Sequence, residues 1–285
     1  MVRYDLPAAA GFQVEAVFPE VAASGRSGAF EIRRSGLWMV GIASVPDNAD
    51  LEQVTQRVYR DLFRAAAGMH LCRVWNFIPD INGSGPSGLE RYRAFSRARS
   101  LEFERNFGPD FWRRLPAASA LGSDTDDLVV RFVAASRAPV HTENPRQTPA
   151  YRYPPSFGPR PPSFSRATLV PSDGTADVFV SGTSAVVGSE SVAPNNTREQ
   201  LECTLENMRA ISRECGLGPD LARGRAALRQ FSVYLRLPEE QPWVLPALEG
   251  RLFGPGDLVN VAKADICRSE LNIEIEATIR GVRPG

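Results

Sequence analysis

Two glutamates near the C-terminus alternate with isoleucines in the sequence Ile273-Glu-Ile-Glu276. Side chains of a β-strand point alternately to its two faces, so a strand here places both isoleucines on one face and Glu274 and Glu276 on the other. One interpretation is a solvated sheet face. The other is a carboxyl directed into a cleft, where burial raises its pKa from ~4.3 and lets it act as a general acid near neutral pH.

Residues 139–162 form a second candidate region, because they hold eight of the 23 prolines, interleaved with tyrosines and arginines. A flexible linker is normally rich in glycine and serine and poor in aromatic residues. We therefore expect this segment to be ordered and packed across a domain face, as the wall of a site. Arginine and tyrosine fix small carboxylates in pockets, which makes the arginines and tyrosines of this segment candidates for binding. They are Arg146, Arg152, Arg160, Tyr151 and Tyr153. A solvated proline-rich loop is the alternative.

Two further motifs are weaker evidence for a functional site. Gly83-Ser-Gly-Pro-Ser-Gly88 matches the dinucleotide pattern G-x-G-x-x-G between a predicted strand and a predicted helix. The acidic residues about 20 positions later, Glu102 and Glu104, fall inside that helix instead of ending a second strand, so we interpret the motif as a structural turn. A hydrolase triad would need His70 or His141, and an isolated histidine in a strand is more often a core residue.

The composition excludes several classes of protein. The 285 residues include 33 Lys and Arg against 33 Asp and Glu, so no net positive field attracts nucleic acid or an anionic membrane. No apolar run approaches the ~18 residues of a membrane span. The cysteines form no C-x-x-C pair, and neither histidine is at ligand spacing from one. We expect a cytoplasmic protein without metal, cofactor, nucleic-acid or membrane partner, whose free thiols are Cys72, Cys203, Cys215 and Cys267.

Hydrophobic periodicity predicts the elements that must position these residues. It indicates a hairpin within residues 28–45. Two predicted helices, at residues 50–68 and 197–216, begin with capping-box pairs, Asp50 with Gln53 and Thr197 with Gln200. The other predicted helices run from Gly88 to about Arg105 and near Pro238–Gly250. The other predicted strands are His70–Ile78, Leu128–Ala134, Ser163–Val170, Asp177–Val187, Phe231–Leu237, Leu258–Ile266 and Leu271–Ile279.

The element order indicates a duplicated α+β fold. Each half follows the order β-β-α-β-α-β-β, although no repeat is evident at the level of residues. The predicted domains are residues 1–138 and 163–285, joined by the ordered connector 139–162. On this division the C-terminal domain carries the active site, and the connector lines it.

Several segments between residues 70 and 279 together resemble the chorismatase family. Its members are bacterial enzymes of secondary-metabolite and pigment pathways that split the enolpyruvyl ether of chorismate and release pyruvate. The resemblance covers most of the chain. The segments that carry it are Cys72–Asn82, Asn144–Gln147, Tyr151–Pro154, Phe157–Arg160, Ser163–Ala167, Phe179–Ser184, Ala264–Arg268 and Ile273–Glu276.

The resemblance implies a fold and a catalytic acid. Chorismatases resemble two tandem copies of reactive intermediate deaminases, a chorismate-mutase-like fold with helices packed on mixed sheets. The Glu-Ile-Glu strand is also similar to that of these deaminases, in which ligands bind in clefts and the first glutamate faces the cleft. By that similarity Glu274, and not Glu276, is the candidate acid.

The family also implies how the substrate is held. Arg166 and Tyr153, with Tyr151 and Arg160, match residues expected near the ring carboxylate of chorismate. For the second carboxylate, on the enolpyruvyl group, the candidate is Arg251, in a glycine-flanked loop before a strand.

Cys267 and Gly182 resemble the members of the family that form 3-hydroxybenzoate. The predicted reaction is therefore conversion of chorismate to 3-hydroxybenzoate and pyruvate, started by protonation of the enolpyruvyl methylene. One alternative is a chorismate hydrolase that gives a dihydroxycyclohexadiene carboxylate. The others are an imine or enamine deaminase and a non-catalytic metabolite binder of the same fold. A monomer is favoured.

Overall fold

The computed structural model describes residues 3–5, 18, 23–47 and 50–283. The strands and helices of the first half are β1 (Arg3–Asp5), β2 (Ala23–Ser27), β3 (Phe30–Ser35), β4 (Trp38–Pro46), α1 (Leu51–Ala65), β5 (His70–Pro79), α2 (Arg91–Phe107), β6 (Ala117–Ser123) and β7 (Asp127–Ala135). Those of the second half are β8 (Val140–Thr142), β9 (Ala167–Ser172), β10 (Thr175–Thr183), β11 (Val186–Val187), β12 (Glu190–Ser191), α3 (Thr197–Glu214), β13 (Leu228–Leu235), α4 (Gln241–Leu248), β14 (Leu258–Lys263) and β15 (Ile273–Val282).

The two halves build two mixed sheets with the same topology. The first sheet has the order β2-β3-β4-β7-β5-β6, and the second has the order β1-β14-β13-β15-β10-β9-β8. If the strands β3 to β7 and the strands β9, β10, β13, β14 and β15 are each numbered one to five, both sheets contain the order 1-2-5-3-4. In both, strands three and four are parallel, and the other neighbouring pairs among the five strands are antiparallel. The predicted α+β fold with a duplicated element order is confirmed.

The molecule has four layers, with helices outside and the two sheets packed face to face inside. Helices α1 and α2 cover the outer face of the first sheet, and α3 and α4 cover the outer face of the second. Between the sheets lies a shared core that includes Phe77 of β5, Phe179 of β10 and Tyr234 of β13. The strict alternation of a strand therefore sends half of each sheet's side chains to its helices and half to the other sheet.

Helix α1 shows how local sequence sets an element. Its apolar residues recur at helical spacing and place Val58 and Leu62 fully out of solvent, each worth roughly 1.5–3 kcal/mol of burial. At its N-terminus Asp50 caps the helix by accepting a hydrogen bond from the backbone N–H of Glu52 at 2.9 Å, and the side chain of Gln53 donates to the same aspartate. The predicted start of this helix is confirmed.

Helix α3 begins differently from the prediction. The cap is Asn196, whose side chain accepts from the backbone N–H of Glu199, and not Thr197 with Gln200. Gln200 instead donates to the backbone carbonyls of Ala193 and Glu270 and so anchors the loop before β15. The side chain that the local pattern assigned to the cap is thus hydrogen-bonded to a residue distant in the sequence.

Strand β6 was not among the predicted strands. Its sequence, Ala117-Ala-Ser-Ala-Leu-Gly-Ser123, is poor in the β-branched and aromatic residues that signal strands. It is held as a parallel neighbour of β5, and the backbone N–H groups of Ala117 and Ala118 donate across to the hydroxyls of Thr168 and Ser181 in the second half. Tertiary pairing therefore overrides its weak propensity.

The glycine motif at residues 83–88 forms the turn between β5 and α2. The N–H of Gly83 donates to the carbonyl of Asp80 at 2.8 Å, and a Cβ on Gly83 would lie 1.8 Å from that residue's carboxylate. A side chain at position 83 would therefore have to displace the Asp80 carboxylate from this turn. In the described part of the chain, no helix is long and apolar enough to cross a membrane.

Candidate active site

A cavity of about 230 Å³ lies where the two halves meet. Its wall combines β5, β6 and α2 of the first half with β10 and β15 of the second, and the segment 139–162 adds Gln147, Tyr153, Phe157 and Pro162. A volume below the usual ~300–1,000 Å³ of ligand pockets suits a small metabolite.

Glu274 lies on the cavity wall and is 4% exposed. Among the residues that the structure describes, no hydrogen-bond donor reaches its Oε1, and Oε2 has only the Ser184 hydroxyl at 3.5 Å. Burial, followed by the negative charge of Glu276, raises the pKa of Glu274 from 4.5 to about 8, and the nearby arginines only partly oppose this. The carboxyl therefore carries a proton at neutral pH.

Gly182 of β10 makes room for this carboxyl. A Cβ at position 182 would lie 1.9 Å from Oε1 of Glu274 and 3.0 Å from the hydroxyl of Ser119. The first distance is incompatible with a side chain while Glu274 keeps this position, and the second is tight, so a larger residue at position 182 would displace the carboxyl of Glu274.

Glu276 is equally buried but fully hydrogen-bonded. It accepts from the Nη2 group of Arg73, from Ser119 at 2.6 Å, from the indole N–H of Trp75 at 2.8 Å and from the hydroxyl of Tyr234 at 3.0 Å. These donors come from β5, β6 and β13, so the carboxylate joins the two sheets. Glu276 is not part of the cavity wall.

Arg166 and Tyr153 meet on the cavity wall as a pair. The Nη2 group of Arg166 donates to the Tyr153 hydroxyl at 2.7 Å and to the carbonyl of Thr148 at 3.1 Å. The arginine is 5% exposed, its Nε–H has no acceptor in the described residues, and it forms no salt bridge with them. Its guanidinium therefore keeps donor capacity for an anion in the cavity.

Cys267 also lines the cavity, in the loop before β15. Burial raises the pKa of its thiol from 9.0 to about 12, and the charge of Glu274 adds to the effect. The residue is therefore a neutral thiol under physiological conditions, which excludes a thiolate nucleophile but leaves a compact group that occupies space and can share a weak hydrogen bond.

The structure does not bring three of the predicted binding residues to the cavity. Tyr151 stacks on Trp112 with ring centroids 5.8 Å apart. The guanidinium groups of the other two are in surface salt bridges, Arg160 with Glu104 and Arg251 with Glu202, each at 2.6 Å. Their sequence neighbourhood suggested a site, but the surface acidic partners of the two arginines and the aromatic neighbour of Tyr151 hold them outside it.

Arg99 of α2 is a cavity residue that the sequence analysis did not identify. It is 3% exposed, and its Nε–H and Nη1 groups donate to the Tyr59 hydroxyl and the Ser163 carbonyl. Its Nη2 group has no acceptor, and it forms no salt bridge, within the described residues. The signal in the sequence is an arginine between Phe95 and Phe103 at four-residue spacing, on the apolar stripe of a helix.

Neither histidine lines the cavity, so no catalytic triad forms there. His141 shares a 3.0 Å hydrogen bond with Thr168, and burial lowers its pKa from 6.5 to about 4. Over the residues described, no three His, Cys, Asp or Glu side chains are grouped to hold a metal ion.

The comparisons with known proteins agree with this geometry. A family model described as "Chorismatase FkbO/Hyg5-like, N-terminal" matches residues 17–134. A 3-hydroxybenzoate synthase from Streptomyces hygroscopicus is 36% identical over 82% of this chain and 72% of its own length, and a chorismatase from Streptomyces rapamycinicus is 34% identical over 85% and 74%. A chorismatase crystal structure superimposes with a TM-score of 0.81 at 26% identity, covering 91% of this chain and 80% of the other. The chain therefore belongs to the chorismatase family.

Proposed function

We propose that this chorismatase converts chorismate to 3-hydroxybenzoate and pyruvate. The observation that carries the proposal is a protonated carboxyl, Glu274, whose Oε1 has no donor among the described residues. It lies on the wall of a cavity that also holds two buried arginines, Arg166 and Arg99, without salt bridges to those residues. The relative named 3-hydroxybenzoate synthase supports the choice of product. In the described residues, no helix could cross a membrane, and no metal-ligand cluster is present.

Glu274 supplies the acid. Cleavage of an enol ether begins with slow protonation of its terminal methylene carbon, which leaves an oxocarbenium ion. A carboxyl whose pKa is about 8 holds its proton at pH 7 and is still acidic enough to transfer it. The carboxylate left after transfer is an anion beside the developing cation, and this favours the transition state electrostatically.

Arg166 and Arg99 meet the two carboxylates of chorismate. Arg166 with Tyr153 binds the ring carboxylate, since a guanidinium fork matches a planar carboxylate and the tyrosine hydroxyl adds a donor. Arg99, in place of Arg251, binds the enolpyruvyl carboxylate through its unpaired Nη2 group. Two buried cations that form no salt bridge with the described residues are costly in a site of low polarity, so this arrangement favours a dianionic ligand.

Cys267 and Gly182 determine the product. Hydroxybenzoate and pyruvate together contain the atoms of chorismate, whereas the diol and pyruvate contain one water more. A neutral thiol on the cavity wall takes space that a water molecule would need, and Gly182 lets Glu274 approach the β10 backbone. The neighbouring ring hydroxyl, and not water, then displaces the enolpyruvyl oxygen before the ring becomes aromatic.

The test is an incubation of the purified protein with chorismate, followed by chromatography of the ring product and an enzymatic assay of pyruvate. We expect equal amounts of 3-hydroxybenzoate and pyruvate. The diol as main product would place the protein among the hydrolysing members. Binding of chorismate without pyruvate release would favour a metabolite-binding protein, and deamination of an imine without chorismate turnover would favour the deaminase alternative.

We also propose a cytoplasmic monomer with the domain division 1–138, 139–162 and 163–285. The four cysteines form no disulfide, as is usual for a protein in a reducing compartment. The cavity draws Arg99 and Ser119 from the first half and Glu274 from the second, so one chain supplies both walls. Gel filtration at micromolar concentration tests the monomer.

A further inference from the structure

The two buried glutamates of β15 are bound in opposite ways. Glu276 receives four hydrogen bonds, from Arg73, Ser119, Trp75 and Tyr234, whereas Oε1 of Glu274 receives none from the described residues. Hydrogen bonds and a cation favour the ionised form of a carboxyl, and an unsolvated position without donors favours the neutral form. The contacts therefore assign the negative charge to Glu276 and the proton to Glu274.

The two carboxyls are also near enough for a charge on one to oppose a charge on the other. They are on the same face of one strand, two residues apart, so their Cα atoms are separated by about 7 Å. Both side chains are 4% exposed, and in such surroundings water screens their repulsion weakly. Once Glu276 is ionised, ionisation of Glu274 is opposed by both burial and like charge.

We propose that Glu276, kept ionised by Arg73, is a positioning residue whose fixed charge holds the proton on Glu274. The proposal rests on the function assigned above to Glu274 and explains why a second carboxylate is buried next to the acid without entering the cavity. Ser119 couples the pair, because it donates to Glu276 while accepting from the backbone N–H of Gly182, against which Glu274 lies.

Other charged and titratable groups face Glu274 and act in known directions. Arg73 of β5 and Arg166, just before β9, lower the pKa of Glu274, whereas Glu276 on its own strand raises it more than either arginine lowers it. Cys267, in the loop before β15, stays neutral because burial raises its thiol pKa to about 12. Removing the charge of Glu276 must therefore move the pKa of Glu274 down.

The first variant is Glu276→Gln, which keeps the shape of the side chain and removes its charge. We expect the pH at which pyruvate release falls to move from about 8 to 7 or below, since losing a like-charge neighbour shifts a buried pKa by about one unit or more. At pH 6 Glu274 is still protonated in this variant, so activity there falls much less than activity at pH 8. Tyr234→Phe is the matched control, because it removes one donor to Glu276 and leaves the charge, so the fall stays near pH 8.

A second variant is needed because Glu276→Gln leaves Arg73 buried without its carboxylate partner, and the protein then risks misfolding. In the double variant Arg73→Met with Glu276→Gln, both charges are replaced by groups of similar volume, a change that folded proteins often tolerate. Since Glu276 outweighs Arg73 at Glu274, the pH of half-activity still moves down, by less than in the single variant.

A measurement without substrate separates this proposal from the assigned reaction. In protein labelled with ¹³C at glutamate carboxyls, the resonance absent from Glu274→Gln reports the titration of Glu274 directly by NMR. We expect a midpoint near 8 in the wild type and at least about one unit lower in Glu276→Gln. An unmoved midpoint in Glu276→Gln overturns the positioning role even if chorismate is turned over. A moved midpoint without turnover upholds it and refutes the proposed reaction.

Discussion

Pyruvate release by the wild-type protein should fall tenfold for each pH unit above about 8, because only protonated Glu274 can act. Its pKa of about 8 means that roughly nine in ten Glu274 carboxyls carry a proton at pH 7, whereas an ordinary glutamate would be protonated in fewer than one in a hundred. Burial therefore enriches the active acid by about a hundredfold or more at neutral pH.

The matching perturbation is Glu274→Gln. An amide of the same shape cannot deliver a proton, so we expect a loss of roughly 100-fold or more in kcat, in line with the contribution of a general acid. Chorismate binding should persist, since the amide keeps the volume of the carboxyl and the arginines are untouched. Glu276→Gln at pH 6 should lose much less, because that carboxyl does not line the cavity.

The assay is initial-rate pyruvate release from pH 5 to 10, read by chromatography so that no coupling enzyme limits the range. A rate that stays level up to pH 10, or a fall centred near pH 5, would refute the assignment of a buried neutral acid. An active Glu274→Gln together with an inactive Glu276→Gln would show that the roles of the two carboxyls are inverted.

Four further outcomes follow from the same geometry. Arg166→Lys and Arg99→Lys should each raise KM about tenfold or more, because a point charge replaces a fork. As a control, Arg251→Gln should leave KM unchanged. An unchanged KM in Arg166→Lys or Arg99→Lys would show that this arginine does not contact the substrate. Cys267→Ala should shift product towards the diol, and retained 3-hydroxybenzoate would exclude the thiol from product control. Since the folded protein alone binds the Glu274 proton between pH 4.5 and 8, wild-type stability falls through that window. In thermal unfolding at pH 7, Glu274→Gln should therefore be more stable by about 3 kcal/mol, and the difference should vanish near pH 4.5.

The local sequence carries much of the fold because periodicity records which face of an element is buried. The alternation around Glu274 and Glu276 predicted that both glutamates share a face opposite two isoleucines, and β15 has this arrangement. The spacing within α1, with Asp50 as its cap, predicted the helix and its buried stripe. The duplicated element order was readable as well, since it depends only on the succession of such patterns.

The choice between equivalent residues depended on the tertiary structure. Nothing in the local pattern distinguishes Glu274 from Glu276; the donors that separate them, Arg73 and Trp75, are about two hundred residues away in the sequence. In the same way the local sequence does not show which of Arg251 and Arg99 has an acidic partner. Arg251 forms a salt bridge with Glu202 at the surface, whereas Arg99 is buried and forms no salt bridge with the residues that the structure describes.

The sequence by itself therefore determined the family, the element order and the set of candidate side chains. It did so because residue types and their spacing encode local conformation and burial. Only the tertiary structure decided which carboxyl holds a proton and which arginines face the cavity. Protonation and charge pairing depend on the dielectric surroundings and on partners within a few ångströms, and three of the four donors to Glu276 come from the opposite sheet.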